Sequence, residues 1–234
     1  MTTLSLGDPA PCNQLLATLP SAEWRRLSAF LEPRQLQEGQ LLEQPGQPVQ
    51  QVYFPTSALL SWLTRVDVTL PVTLALMGRD GMTGIACMVA KQAAPFHAQV
   101  LIEGQALCMT APVFIREFAE SADFRKAVLR HLLSLTAQIA QNAGCYHFHL
   151  LEPRLARWLL MVRDLLGSAH FHMTHETLAQ LLGVRRVGVT LAAHALKQRQ
   201  LIHYSRGAME ILDGDGLQRC ACSCYRRAVY HTGG

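Results

Sequence analysis

With 234 residues, half of them hydrophobic and 16% charged, the chain can bury a substantial core and is not composed like a disordered protein. No apolar run reaches the ~18 residues of a membrane span, and residues 1–19 lack a basic start followed by an apolar stretch, so neither a membrane nor a secreted protein is expected. The net charge of +4 is uneven: residues 1–152 carry ten basic and twelve acidic side chains, residues 153–234 eleven and five, as when one half of a chain meets a polyanion.

The first predicted element is a short helix over residues 22–30, with Trp24, Leu27 and Leu31 on one side. From Leu36 to about Pro112 the chain breaks into short apolar runs, at 51–54, 59–64, 68–76 and 99–102. Turn residues separate them: Gly39, Pro45, Gly46, Pro55, Gly78, Gly81, Gly84, Pro95 and Gly104. Runs of this length and spacing predict a small antiparallel barrel or roll.

After Pro112 the period changes. Residues 114–143 contain no glycine or proline, and Val128, Leu132, Leu135, Ile139 and Ala143 recur every three or four residues, as in a two-helix seam. The alternative is a core helix packed on its own barrel. Gly144 is expected to end this helix. Pro153 restarts one through Leu166, with Leu155, Trp158, Leu159 and Val162 on one face, and Gly167 closes it. Expected units are a β-rich one over residues 1–112, a long helix and hinge over 113–150, and a further, helix-led one over 151–234.

The most specific stretch runs from Thr174 to Leu196. Thr174 is a good N-cap and is also expected among the DNA-contacting residues, and Glu176 suits the first turn. Leu178 and Leu182 face a core, Ala179 lets a second helix cross closely, and Gly183 takes the turn. Val184, Val189, Ala192 and Leu196 bury the second helix. Arg185, Arg186, Val187, Thr190, His194 and Lys197 are left facing outward. This is helix-turn-helix spacing, with arginines at the end that enters the major groove and can donate two hydrogen bonds to guanine. Residues 201–212 then predict a hairpin around Ser205, Arg206 and Gly207, a wing placed to reach phosphate. Five basic residues and no acidic one lie between Thr177 and Met209.

With a β-rich half, a long helix and a winged motif in this order, the chain resembles the CRP/FNR superfamily of bacterial transcription regulators. The residues that carry the resemblance are Leu178–Leu182 with Gly183 through Ile202, the loop from Gly78 to Gly84, residues 52–57, and the wing residues 202–207. The resemblance implies an α+β chain: an N-terminal antiparallel β-roll, a long dimerisation helix and a C-terminal winged helix-turn-helix. It also implies a cytoplasmic homodimer on a palindromic double-stranded operator, gated by a small-molecule effector in the roll, with RNA polymerase as a further partner if it activates. Of the DNA-facing set, Arg186 aligns with a base-reading arginine. Val187 stands where many members have glutamate, so the operator should differ from well-known sites.

The expected effector pocket is Gly81, Met82, Thr83, Gly84, Phe96 and His97. Cyclic-AMP-binding members place a glutamate where Met82 and Thr83 stand, and an arginine–serine pair aligning with Phe96 and His97. A buried phosphate without a cation is costly, so cyclic AMP in the usual pose is not expected. No cofactor is implied. Cys12, Cys87 and Cys108 do not make the iron–sulfur arrangement. Cys220, Cys222 and Cys224 show no fourth ligand and are expected as free surface thiols, with a redox- or metal-responsive tail as the alternative. The histidines of 170–175 are expected to be solvated or phosphate-facing, and no metal is expected there. Haem ligation by His97, Cys87 or Cys108 has no distinguishing spacing. No nucleophile elbow, phosphate loop or His-Glu-x-x-His motif is present, so no enzyme is expected. Two alternatives remain at this point: a ligand-binding module that acts through protein partners, and a haem or redox gas sensor in the same DNA-binding frame.

Overall fold

The computed structural model describes residues 12–67, 70–89 and 93–225. Val68, where one strand is expected to begin, lies outside them, as do the first eleven residues. The chain opens with two short helices, α1 (Gln14–Ala17) and α2 (Ser21–Ser28), which bury Leu15, Leu16 and Leu27. Asn13 caps α1 by accepting from the Leu16 N–H, while its own amide donates to the Pro55 and Gly81 carbonyls, so this buried side chain is fully used.

Seven strands follow: β1 (Glu32–Leu36), β2 (Leu41–Glu43), β3 (Gln51–Pro55), β4 (Leu59–Asp67), β5 (Leu70–Met77), β6 (His97–Ile102) and β7 (Gly104–Thr110). They form two antiparallel sheets, ordered β1-β7-β3 and β2-β6-β4-β5. In β3 the two-residue period buries Val52 and Phe54 and leaves Tyr53 half-exposed. The roll core joins these to Leu60, Met77, Val100 and Ala106, and to Phe114, Phe124 and Val128 from the helices that follow.

The single helix expected over residues 114–143 is two helices: α3 (Ala111–Glu120) and α4 (Ala122–Phe148). Ser121 breaks the run. Its backbone is extended, and its side chain accepts from the Phe124 N–H, which makes it the N-cap of α4. Gly144 does not end α4, which continues for another turn. A glycine inside a helix costs ~1 kcal/mol relative to alanine, but here the flanking residues are pinned to β5. Asn142 donates to the Leu74 carbonyl at 2.8 Å, and the Tyr146 hydroxyl lies 3.0 Å from that of Thr73.

The C-terminal part comprises α5 (Leu151–Leu166), β8 (His170–His172), α6 (His175–Leu182), α7 (Arg186–Gln198), β9 (Ile202–Ser205), β10 (Ala208–Ile211) and α8 (Gly214–Cys220). Every residue of α5 from Arg154 to Val162 is buried, because α6, α7 and α8 surround it on one side and β4 approaches from the other. The wing sheet has the order β8-β10-β9. β8 is a strand the sequence did not announce: it buries Phe171 between exposed His170 and His172. The core of this part extends into the roll through Leu59 and Leu76. No helix among the described residues is long and apolar enough to cross a membrane.

Candidate nucleic-acid interface and sensor cavity

The two helices of the DNA-binding motif are fixed by local chemistry. Thr174 caps α6 by accepting from the Thr177 N–H at 3.1 Å. Gly183 ends it at φ 62°, a left-handed conformation that favours glycine. Leu178, Ala179, Leu182, Val189, Ala192 and Leu196 are buried between α6, α7 and α5. Arg185, Arg186, Val187, Thr190, His194 and Lys197 line the opposite, outward side. Val187 is 70% exposed and Leu191 67%, so neither contributes to the chain's own packing.

The wing lies beside this face. Its two-residue turn places Arg206 at φ 49° and Gly207 at φ 88°, the doubly left-handed geometry that matches strand twist in tight hairpins. Ser205 and Arg206 are exposed at the tip. Lys197 ties helix to wing: its ammonium lies 5.0 Å from the Tyr204 ring centre and 3.5 Å from the Tyr204 carbonyl.

His175, expected to be solvated or phosphate-facing, and Tyr204 of the wing hairpin are both half-buried and belong to this unit. The His175 ring is 4.6 Å from that of Tyr204, and its Nδ1 is 3.1 Å from the Thr190 hydroxyl, so one imidazole joins α6, α7 and the wing. Burial, and then the charge of Arg186, hold it below the ordinary imidazole range.

A second feature is a cavity of about 310 Å³ between the roll and α4, lined by residues that include Glu43, Trp62, Met88, Phe96, Leu132 and Ile139. Trp62 and Phe96 lie 5.6 Å apart. Glu43 is buried in this apolar wall, and burial pushes its carboxyl above the usual carboxylate range against hydrogen bonds from Thr83 and the Gly84 N–H. Thr83 in turn accepts from the Trp62 indole at 3.0 Å.

Of the expected effector residues, only Phe96 lines this cavity. Gly81 and Met82 pack against α4: the Met82 N–H is 3.1 Å from His131 Nε2, and a Cβ on Gly81 would lie 2.2 Å from the His131 ring. Thr83 and Gly84 hold Glu43. His97 pairs with Leu63 across the sheet. The Gly78–Gly84 loop is therefore a joint. Gly78 and Gly81 are needed for close approach to helices, a Cβ on Gly78 lying 2.9 Å from Leu165, and Gly84 for close approach to β3.

The expected dimer seam is also corrected. Val128 and Leu135 are buried in the roll core, and Leu132 and Ile139 pack on it; Leu132, Leu135 and Ile139 line the cavity as well. The helical period found a true apolar face, but that face meets the chain's own barrel. The open side of α4 carries Leu129, 50% exposed, and Leu133, 72% exposed. The tail thiols differ from expectation too. Cys222 and Cys224 are buried, and only Cys220 is partly exposed, because the chain turns back after α8 onto the end of α4.

The architecture sets a winged helix-turn-helix with an outward basic face behind a β-roll and a long helix. Residues 153–220 match the family described as the Crp-like helix-turn-helix domain, and no curated protein matches the chain. Its fold is similar to that of FixK2 from Bradyrhizobium japonicum (11% identity over 82% of this chain and 98% of that one, TM-score 0.70). It is also similar to a CRP-family transcriptional regulator from Thermus thermophilus, TTHB099 (18% identity, 80% and 96%, TM-score 0.68). A third similar fold is the c-di-GMP responsive global regulator CLP from Xanthomonas campestris (15%, 82% and 99%, TM-score 0.66). Residues 153–220 thus form a Crp-like helix-turn-helix domain, and the chain as a whole has the fold of CRP/FNR-type transcription regulators.

Proposed function

We propose that the chain acts as a homodimer on a palindromic duplex site, with its DNA affinity set by a small effector in the cavity between the roll and α4. The observation that carries this reading is the exposed N-terminal end of α7. Arg185, Arg186, Val187 and Thr190 face outward there, with Arg206 beside them on the wing. Arg186 reads base edges, while Ser205, Arg206 and Lys197 position the backbone. Two copies related by symmetry would present these ends to major grooves about one helical turn apart. RNA polymerase is a further partner if the outcome is activation.

The effector is uncharged or cationic. The described cavity lining contains one ionisable side chain, Glu43, and no Lys or Arg; Lys91 lies outside the described residues. An anionic cyclic phosphate would sit next to a buried carboxyl, an arrangement of like charges that low dielectric makes costly. A ligand here touches α4 directly through Leu132, Leu135 and Ile139. Farther along the same helix, the Tyr146 hydroxyl lies 3.0 Å from the Thr73 carbonyl and 2.9 Å from that of Leu181 in α6. One hydroxyl proton serves only one of these at a time, so displacing α4 changes how the recognition unit is seated.

Titrating duplex operator against the protein at several salt concentrations tests the DNA assignment. Arg186→Ala should cost ~1–3 kcal/mol at the cognate site and relax one base position, whereas Arg206→Ala should weaken all duplexes alike and reduce the salt slope by about one. Cognate affinity unchanged in Arg186→Ala would overturn the base-contact role.

A further inference from the structure

Four potential ligands from opposite ends of the C-terminal half meet where α4 passes into α5. Cys145 and His149 are one helical turn apart at the end of α4, and the His149 N–H bonds the Cys145 carbonyl. Cys222 and Cys224 arrive from the segment after α8, which is held in place by the Cys222 N–H on the Pro153 carbonyl at 3.2 Å. The ligand atoms of all four residues lie within 4.8 Å of one another. Cys145 Sγ is 3.5 Å from Cys222 Sγ, and Cys224 Sγ is 3.6 Å from His149 Nδ1. A tetrahedral ion with metal–sulfur bonds of about 2.3 Å and metal–nitrogen bonds of about 2.0 Å needs ligand–ligand edges of roughly 3.5–3.8 Å. Two edges therefore already have that length, and the others need to close by about 1 Å or less.

Charge gives an independent reason. Arg157 is fully buried, and none of its three guanidinium nitrogens has a hydrogen-bond partner among the described residues; it rests over the Trp158 ring at 5.6 Å. A buried cation without a counter-charge is strongly destabilising. Three thiolates, a neutral imidazole and a divalent ion carry a net charge of −1, which offsets one arginine; three neutral thiols leave it uncompensated. Gln141 also donates its amide N–H to Cys224 Sγ at 2.9 Å, the kind of outer contact that fixes metal ligands.

We propose that Cys145, His149, Cys222 and Cys224 form a tetrahedral site for a thiophilic divalent ion of the zinc class, which clasps the tail onto the joint between sensor and DNA-binding domain. This stands apart from the effector cavity and from the recognition face, neither of which shares a residue with it. The protein's seven cysteines make Cys220 the internal control, since it belongs to neither the cluster nor its contacts.

The test uses full-length protein prepared under reducing conditions, loaded with Co²⁺ as a spectroscopic probe or with Zn²⁺, and then freed of excess metal. One equivalent per chain is expected, with thiolate-to-cobalt charge-transfer absorption, visible bands of tetrahedral intensity, and displacement by Zn²⁺. Cys220→Ser should retain all of this, and Cys222→Ser and Cys145→Ser should lose nearly all the bound metal. If those last two variants fail to fold, the cobalt spectrum of the unaltered chain and of Cys220→Ser still decides the matter. Absence of retained metal in the unaltered chain, an octahedral cobalt spectrum, or a Cys145–Cys222 disulfide that persists under reducing conditions would each overturn the proposal.

Discussion

The proposed recognition unit and the proposed effector cavity are built on opposite plans. The outward face of α7, its caps and its wing come from one continuous stretch, residues 174–212, in which each residue's role follows from its near neighbours. The cavity draws on β2, β4, the turn at Ile85–Met88, Pro95 and Phe96 just before β6, and the middle of α4. No local rule brings Glu43 to Trp62 or either of them to Ile139. An exposed binding face needs only correct local geometry beneath it, whereas a cavity is what remains when distant elements fail to fill the space between them. The two also have separate cores, joined through Leu59 and Leu76.

The largest effect that can break this comparison comes from Trp158→Ala. Trp158 is fully buried in the C-terminal core, and deleting a buried indole costs ~3–5 kcal/mol. If the two regions are energetically distinct, guanidinium unfolding followed by hydrogen exchange should show α5–α8 opening first while the roll amides stay protected. A single transition in which both regions lose protection together would mean that the Leu59–Leu76 bridge merges them into one unit.

The two faces of α4 sharpen it further. Leu135→Ala should destabilise the chain by ~2–5 kcal/mol, since Leu135 is buried in the roll core. With the open Leu129–Leu133 side of α4 taken as the pairing face of the proposed homodimer, Leu133→Glu should leave chain stability nearly unchanged, because that side chain is 72% exposed, yet sedimentation should show a shift toward monomer. Unaltered dimerisation in Leu133→Glu would remove this face from the proposed interface.

These residues also mark where the sequence stops being legible. Periodicity correctly groups Val128, Leu132, Leu135 and Ile139 on one face, but a period says nothing about what a face meets. The weaker pattern of Leu129 and Leu133 is hidden because each directly follows a residue of the stronger stripe, Val128 and Leu132. Gly144 looks like a terminator because its pinning by Asn142 and Tyr146 involves β5, about seventy residues earlier. β7 and β8 escape notice for a similar reason, since strands that pair with them lie far away in the chain. The metal-type cluster is invisible from the tail alone, because Cys222 and Cys224 find Cys145 and His149 only through the fold. By contrast, Gly183, the outward set on α7 and the turn at Arg206–Gly207 can all be placed from their immediate context.

Thr174 belongs to both sides of the comparison and gives the smallest expected effect. The sequence offers it as an N-cap and also as a DNA-facing residue, and these roles make different demands on one hydroxyl. In the structure that oxygen accepts from the Thr177 N–H at 3.1 Å and lies 2.8 Å from the Thr177 hydroxyl, so the cap bond is made without DNA. Thr174→Ala should therefore lower stability by ~1 kcal/mol, readable as a reduced denaturation midpoint, and Thr174→Ser should restore most of it. Because threonine carries no charge, the salt slope of DNA binding should stay the same in both variants. If Thr174→Ala melts like the unaltered protein but binds every duplex more weakly, the hydroxyl acts on phosphate, and α6 is held in place chiefly by its buried leucines and by His175.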